Sequence, residues 1–478
     1  VLNSENVPQP AGTYIPSCFD GDSNSDCGNR PYPSVLWEFQ DEQSVQVSAG
    51  IFVKMQLDED LNNERDLGNS WSKATSGRIR VCTGSCSPDE TEDRFVAIFG
   101  GGVGPDPFFP RGNYLYMVDI ETGKLIYKKK VIGSIAADIA AVDSNGDSYI
   151  DRLYFGTTAG FIYKVQFETS SATPMKLLSQ TYQTRNAAVN YNFTAERLTG
   201  PVGDLKKYDP FQVFSTGGRP IYQEVSAVWV AEKARIALAV GTGNRWNLWE
   251  FDGTPGRFYT ILDTNFVDTD RDGVLNITCS GCTQPLTESK YQAVGPDDAN
   301  DPNGPLLLYN GNGSGSLPGY YLTLASDEKI ITEAFSFGGI TIFTSFQPTE
   351  VANDDGTCSR AGRSHIFIVG TVTALGYYVP NGNLADRARY LEVSQFSTPP
   401  FVEQSATKNP EAGGSSEPNA DTMTTSLTVI SEELKRLQST RCRYANYTQN
   451  VKTILSDTGV VFVAPVPICI DPTSWKEF

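Results

Sequence analysis

"NYLYMVDIETGKLI", residues 113–126, reads as a short aromatic strand, a turn at Thr122-Gly123 and the start of a second strand. "GFIYKVQFETS" (160–170) resembles a diverged copy of the same unit. Outward from this pair, similar runs fill most of the chain. They are "VLWEF" (35–39), "RFVAIFGG" (94–101), "RLYFGTTAGFIYKVQF" (152–167), "SAVWVAEKARIALAVGTG" (226–243), "GRFYTILDTNF" (256–266), "ITEAFSFGGITIFTSFQP" (331–348), "SHIFIVGTVTALGYYV" (364–379) and "TILSDTGVVFVAPVP" (453–467). Each combines β-branched and aromatic residues with glycine punctuation, the signature of strands and tight turns. Weak repetition of hairpins over this length predicts an all-β chain, and a β-propeller, a ring of four-stranded blades, suits it better than a β-sandwich.

Composition agrees. A hydrophobic content of 39% with 20% charged residues belongs to a folded chain rather than a disordered one. The 22 Tyr, 25 Phe and 43 Gly are what many short strands and turns consume. A net charge of −18 excludes a nucleic-acid binder, which needs a basic patch, and favours divalent cations. No run of about 18 apolar residues, the length of a membrane-spanning helix, occurs. The start "VLNSENVPQP", without Met or a signal peptide, reads as a piece of a longer precursor.

Residues 1–33 are polar and loop-rich, and 34–478 form the expected propeller. A Pro/Gly/Ser-rich stretch at about 397–422 is expected to loop out as a mobile insertion. The one good helix signal is "SEELKRLQST" (431–440), with Ser431 at the N-cap and Leu434 and Leu437 on one face.

Among nine cysteines, three close pairs stand out: Cys18/Cys27, Cys82/Cys86 and Cys279/Cys282. Local disulfides in an oxidising compartment, reduced structural thiols and a zinc site are the three readings. With His365 the only histidine and the pairs in Gly/Ser/Asp-rich loops, disulfides are favoured, implying an extracellular or periplasmic address.

The chemistry is concentrated in acidic loops. "DSNGDSYID" (143–151) places Asp143, Asn145, Asp147, the carbonyl of Tyr149 and Asp151 at positions 1, 3, 5, 7 and 9, with Gly146 easing the tight backbone. Calcium takes six to eight oxygens, and such spacing wraps one ion. This is no EF-hand: position 12 is Tyr154 rather than Glu, and the flanks read as strands. "DTDRDGVLN" repeats the pattern with Asp268, Asp270, Asp272, the carbonyl of Val274 and Asn276, and Gly273 at position 6. A weaker third loop, "DGDSNSD", offers Asp20, Asp22, Asn24 and Asp26. The competing reading of each is a solvated acidic turn.

These segments, in order, are similar to the C-terminal propeller of the PilC/PilY family, the type IV pilus tip-associated adhesins and biogenesis factors. The likeness runs through "LWEF" (36–39), "LGNSWSKATSGRI" (67–79), "FVAIFGGG" (95–102) with "NYLYMVDIETGKLI", "GRPIYQEVSAVWV" (218–230), "ALAVGTGNRW" (237–246) and "GYYLTLASDEKIITEAFSFGGITIFTSFQPT" (319–349). Its most specific part is "DSNGDSYIDRLYFGTTAGFIYKVQF" (143–167), an acidic loop just before a "YxG…G…Y" strand pair. Cys358 and the ending Ser474, Trp475, Lys476 also resemble the family.

The resemblance implies a modified seven-bladed propeller with inserted loops that binds calcium and has no enzymatic activity. It implies roles in adhesion and in control of pilus assembly and retraction, at the pilus tip or outer cell surface after export through the periplasm. Partners would be minor pilins at the tip, a host or abiotic surface, and a separate N-terminal region or subunit of the same system. No RGD tripeptide occurs, only "RGN" at 111–113, so integrin-type attachment does not carry over.

Two other classes compete. "LYMVDIETGK" (115–124) also resembles blades of quinoprotein dehydrogenases, but the adjacent-cysteine pair of their alcohol-oxidising members is absent. A carbohydrate-binding propeller is the remaining alternative. A Ser-His-Asp hydrolase would have to use His365, which "GRSHIFIVG" (362–370) places at a strand start as a packed or solvent-facing residue.

Overall fold

The computed structural model describes residues 37–39, 42–48, 51–56, 66–104 (except 85, 88 and 89), 111–167, 175–182, 193–199, 208–230, 235–263, 285–295, 318–352 (except 338), 358–376, 388–393, 401–408, 447–455 and 459–468. The fold is all-β and propeller-like, and falls into two compact units, Val1–Gly218 with Asn265–Leu286 and Arg219–Thr264 with Thr287–Phe478.

The first unit holds β1 (Glu42–Ser48), β2 (Ile51–Gln56), β3 (Thr75–Cys82), β4 (Thr91–Gly100), β5 (Tyr114–Asp119), β6 (Leu125–Lys130), β7 (Ala140–Val142), β8 (Arg152–Gly156), β9 (Phe161–Gln166), β10 (Met175–Tyr182), β11 (Phe193–Thr199) and β12 (Phe211–Ser215). β1 and β2 pair as a hairpin. Strands β3-β4-β5-β6 form an antiparallel meander, and so do β7-β8-β9-β12. The β10–β11 hairpin leaves the second meander between β9 and β12 and adds to the first, with β10 parallel to β3.

The second unit repeats the design. It holds β13 (Ser226–Val230), β14 (Arg235–Gly241), β15 (Arg257–Leu262), β16 (Leu286–Thr287, which begins in the first unit), β17 (Gln292–Val294), β18 (Gly319–Thr323), β19 (Lys329–Ile330), β20 (Phe335–Phe337), β21 (Ile340–Ala352), β22 (Cys358–Gly370) and β23 (Tyr390–Val393). One sheet is the meander β13-β14-β15-β18 with β17 added parallel to β18, and another runs β19-β21-β22-β23. Strands β24 (Phe401–Lys408), β25 (Tyr447–Leu455) and β26 (Gly459–Ile468) form a three-stranded antiparallel sheet. Four-stranded meanders of this kind are the blade unit of propellers.

Why these residues form blades is plain in β5. All six of its residues are buried, so the run "YLYMVD" does not alternate apolar with polar. Successive side chains still point to opposite faces. Tyr114, Tyr116 and Val118 enter one cluster with Leu125, Trp37 and Phe39. Leu115 and Met117 enter another, where β3 and β4 (Ile79, Val96, Ile98) meet β8 and β9 (Leu153, Phe155, Val165). A sheet buried on both faces therefore reads as an unbroken hydrophobic run. In the second unit the corresponding layer is a stack of rings, Phe258 on Phe343 at 3.9 Å and Phe343 on Phe367 at 4.7 Å.

Three expectations meet different outcomes. Trp37, Glu38 and Phe39 of "VLWEF" lie outside any strand. Phe401–Lys408, inside the stretch read as an insertion, is strand β24. The helix expected at 431–440 lies outside the described residues. No helix among the described residues is long and apolar enough to cross a membrane.

Candidate calcium site

The 143–151 loop is the turn between β7 and β8, joining the first two strands of one blade. Hydrogen bonds organise it around its first residue. Asp143 Oδ1 accepts the backbone N–H of Asn145 at 3.2 Å, of Gly146 at 2.7 Å and of Asp147 at 3.3 Å. Its Oδ2 accepts the Ser148 N–H at 2.7 Å. The following acidic positions repeat the pattern on a smaller scale. Asn145 Oδ1 accepts the Asp147 N–H at 2.9 Å, and Asp147 Oδ1 accepts the Tyr149 N–H at 3.0 Å. Two residues carry the positive φ that such a winding demands, Gly146 at 77° and Ser148 at 70°. Ser148 pays for this conformation with strain, since non-glycine residues rarely adopt it.

Asp151 closes the loop and is the informative residue. It is 6% exposed. Oδ2 accepts two bonds from Ser144, from its N–H at 2.6 Å and its hydroxyl at 2.5 Å. Oδ1 is buried without a hydrogen-bond partner. Burial, and then the facing charges of Asp143 and Asp147, push the Asp151 carboxyl above its ordinary range against those Ser144 bonds. A buried carboxylate oxygen left bare costs its full desolvation free energy, so such atoms ordinarily have a partner. A hard cation held in the turn would be such a partner. The donor set, two carboxylates and an amide oxygen near the mouth with a buried carboxylate at the base, is all oxygen and suits calcium rather than a soft metal.

The structure thus gathers Asp143, Asn145, Asp147, Tyr149 and Asp151 into one wound turn. Asp268, Asp270, Asp272, Val274 and Asn276 lie outside the described residues, as do Asp20, Asp22, Asn24 and Asp26. Of the cysteine pairs, Cys82 and Cys86 are joined by a disulfide at the end of β3, and the other two lie outside the described residues.

Sequence reasoning missed two features of the loop. Ser144 fixes the orientation of Asp151, but a serine inside an acidic turn gives no distinctive signal. The Tyr149 ring leaves the loop for the neighbouring sheet, where its hydroxyl donates to Asp93 at 2.9 Å. The alternating pair Arg78 and Arg80 was the available hint, because residues two apart on a strand share a face.

His365 is buried in β22 rather than free in a cleft. Glu328 lies 2.7 Å from its Nδ1 and Glu392 lies 3.4 Å from its Nε2, so both ring nitrogens are engaged by carboxylates.

No family model matches the chain, and no curated protein matches it. Among solved structures it is similar to the crystal structure of the Pseudomonas aeruginosa PilY1 C-terminal domain, at 14% identity and a TM-score of 0.49, over 89% of this chain and 79% of that one.

Proposed function

We propose that this chain is a calcium-binding, non-catalytic β-propeller of the type IV pilus tip, acting in adhesion and in control of pilus assembly and retraction. The observation that carries the calcium part is the buried, partnerless Oδ1 of Asp151 at the base of a turn whose other oxygens are already oriented by backbone N–H groups. The pilus part rests on where that turn lies in the sequence, directly before the "RLYFGTTAGFIYKVQF" strand pair, as in the PilC/PilY propellers. The four-stranded meanders support a ring of blades, seven in the full propeller. Asp268, Asp270, Asp272, Val274 and Asn276 form the second calcium loop in this reading. Minor pilins at the tip, a host or abiotic surface and a separate N-terminal region of the same system are its partners, and the address is extracellular. A Ser-His-Asp mechanism is disfavoured because both nitrogens of His365 are bound by glutamates.

Titration calorimetry with calcium chloride tests the metal assignment. The wild-type chain should bind with a dissociation constant of roughly 0.1–1 mM, as extracellular modules do. Asp147→Ala should lose one binding event, and unchanged stoichiometry and melting temperature would sink the assignment. For the biological role, deletion of the gene should reduce surface piliation and attachment. Normal levels of both would count decisively against it.

A further inference from the structure

The 143–151 turn is held from outside as well as from within, and the outside grip falls on one residue. Tyr149 stands at the position whose backbone carbonyl would serve the ion in this reading, while its side chain is buried against the neighbouring strand pair. There the guanidinium of Arg78 lies 4.7 Å from the ring centroid and that of Arg80 lies 4.9 Å from it. Both arginines come from β3 and share a face. Both also pair with Asp93 of β4, Arg80 Nε donating to Oδ1 at 2.9 Å and Arg78 Nη2 donating to Oδ2. Arg80 and Asp93 are cross-strand partners, so the sheet register itself sets this geometry. The Tyr149 hydroxyl completes the cluster by donating to Asp93 Oδ1.

The grip extends to the next residue. The Ile150 N–H donates to the Arg78 carbonyl at 2.9 Å. The Ile150 side chain fills the space above Gly77, where an added Cβ would lie 1.8 Å from its Cδ1. Ring, hydroxyl, backbone and side chain are therefore all seated on the β3–β4 hairpin. The first half of the turn, by contrast, is wound on Asp143.

We infer that Asp93, with the Arg78–Tyr149–Arg80 stack it organises, is a positioning group for calcium: it fixes the Tyr149 carbonyl and orders the second half of the turn before the ion arrives. The inference rests on the calcium reading above and adds residues from a neighbouring strand pair that contribute no ligand atom. Charge sharpens the role of Asp93. Arg80 also feels the carboxylate of Asp147, a ligand of the ion. With Asp93 in place both guanidiniums are held on its carboxylate, which offsets one of their two charges. Without it they are free to turn toward Asp147 and oppose the cation. Groups that orient metal ligands from behind typically account for about 10- to 100-fold in affinity.

The test is calcium titration by calorimetry on the full chain, with calcium chloride as the only ligand, scoring the binding event that Asp147→Ala removes. Asp93→Asn and Tyr149→Leu should each weaken that event about 10- to 100-fold. Tyr149→Leu keeps the backbone carbonyl and so isolates the ring. Tyr149→Phe, which loses only the hydroxyl and remains foldable if the others do not, should fall between them and the wild type. Circular dichroism and melting in EGTA establish that each variant is folded without metal. Folded variants with wild-type affinity would overturn the inference and leave the calcium site standing. If Asp147→Ala removes no event, the site and the inference fall together.

Discussion

His365 shows how much a single residue can owe to register. It lies opposite Ser345 on one neighbouring strand and Glu392 on the other, and Glu328 reaches it from just before β19. Burial alone would lower its pKa, but Glu328 and then Glu392 lift it above the ordinary 6.5. Burial alone would raise Glu328, but His365 and Ser345 hold it below the ordinary 4.5. The signs fix a pH window. The histidine's contribution is complete below 6.5 and is lost as pH rises through its raised pKa; the glutamate's is complete above 4.5 and is lost as pH falls through its lowered one. Stability in denaturant titrations should therefore be greatest between those values, and His365→Gln should flatten the fall on the alkaline side. Removing one partner of a buried pair costs about 3–5 kcal/mol, so His365→Ala should destabilise by that order, and a loss below about 1 kcal/mol would show the pair to be incidental. The sequence placed His365 at a strand start, packed or solvent-facing; the structure buries it in the middle of β22. Its two carboxylate partners were illegible, because strand register and not sequence proximity brings them to the ring.

At the scale of elements, the β5–β6 hairpin was legible almost residue by residue. Asp119 Oδ1 accepts the Thr122 N–H at 2.8 Å, and the Gly123 N–H donates to the Asp119 carbonyl at 2.8 Å. Gly123 has φ +68°, and Trp37 packs so close that a Cβ there would lie 2.7 Å from its ring. Gly123→Ala thus combines backbone strain with a steric clash and should cost about 1–3 kcal/mol, seen as a lowered denaturation midpoint with an unchanged slope. The same contact explains why "VLWEF" was misread as a strand. Its aromatic residues cover the hairpin, with Trp37 Nε1 donating to the Ile120 carbonyl at 2.7 Å. Apolar content betrays burial but does not distinguish a paired strand from an unpaired one. The parallel additions of β10 to β3 and of β17 to β18 were equally invisible, since each joins segments with no local sequence relation.

For the whole molecule, all-β character and repeated blades followed from composition and hairpin repetition, while the number of sheets and their extra strands did not. Calcium should act on global stability through mass action. With a dissociation constant of roughly 0.1–1 mM, 10 mM calcium should add about 1–3 kcal/mol per site, read as a rise in melting temperature that EGTA reverses. No rise in the wild type, or an equal rise in Asp143→Ala, would contradict this for the 143–151 loop. The β10–β11 hairpin has a consequence of another kind, in the order of folding. Met175 and Lys176 pair with Val81 and Cys82, roughly ninety residues earlier in the chain. Contacts so distant form slowly, because chain closure must precede any gain from pairing. The first blade can assemble from neighbours, whereas its outer edge waits for a hairpin made much later in synthesis. Until then β3 presents an open strand edge, the feature through which partly made chains most readily pair with one another.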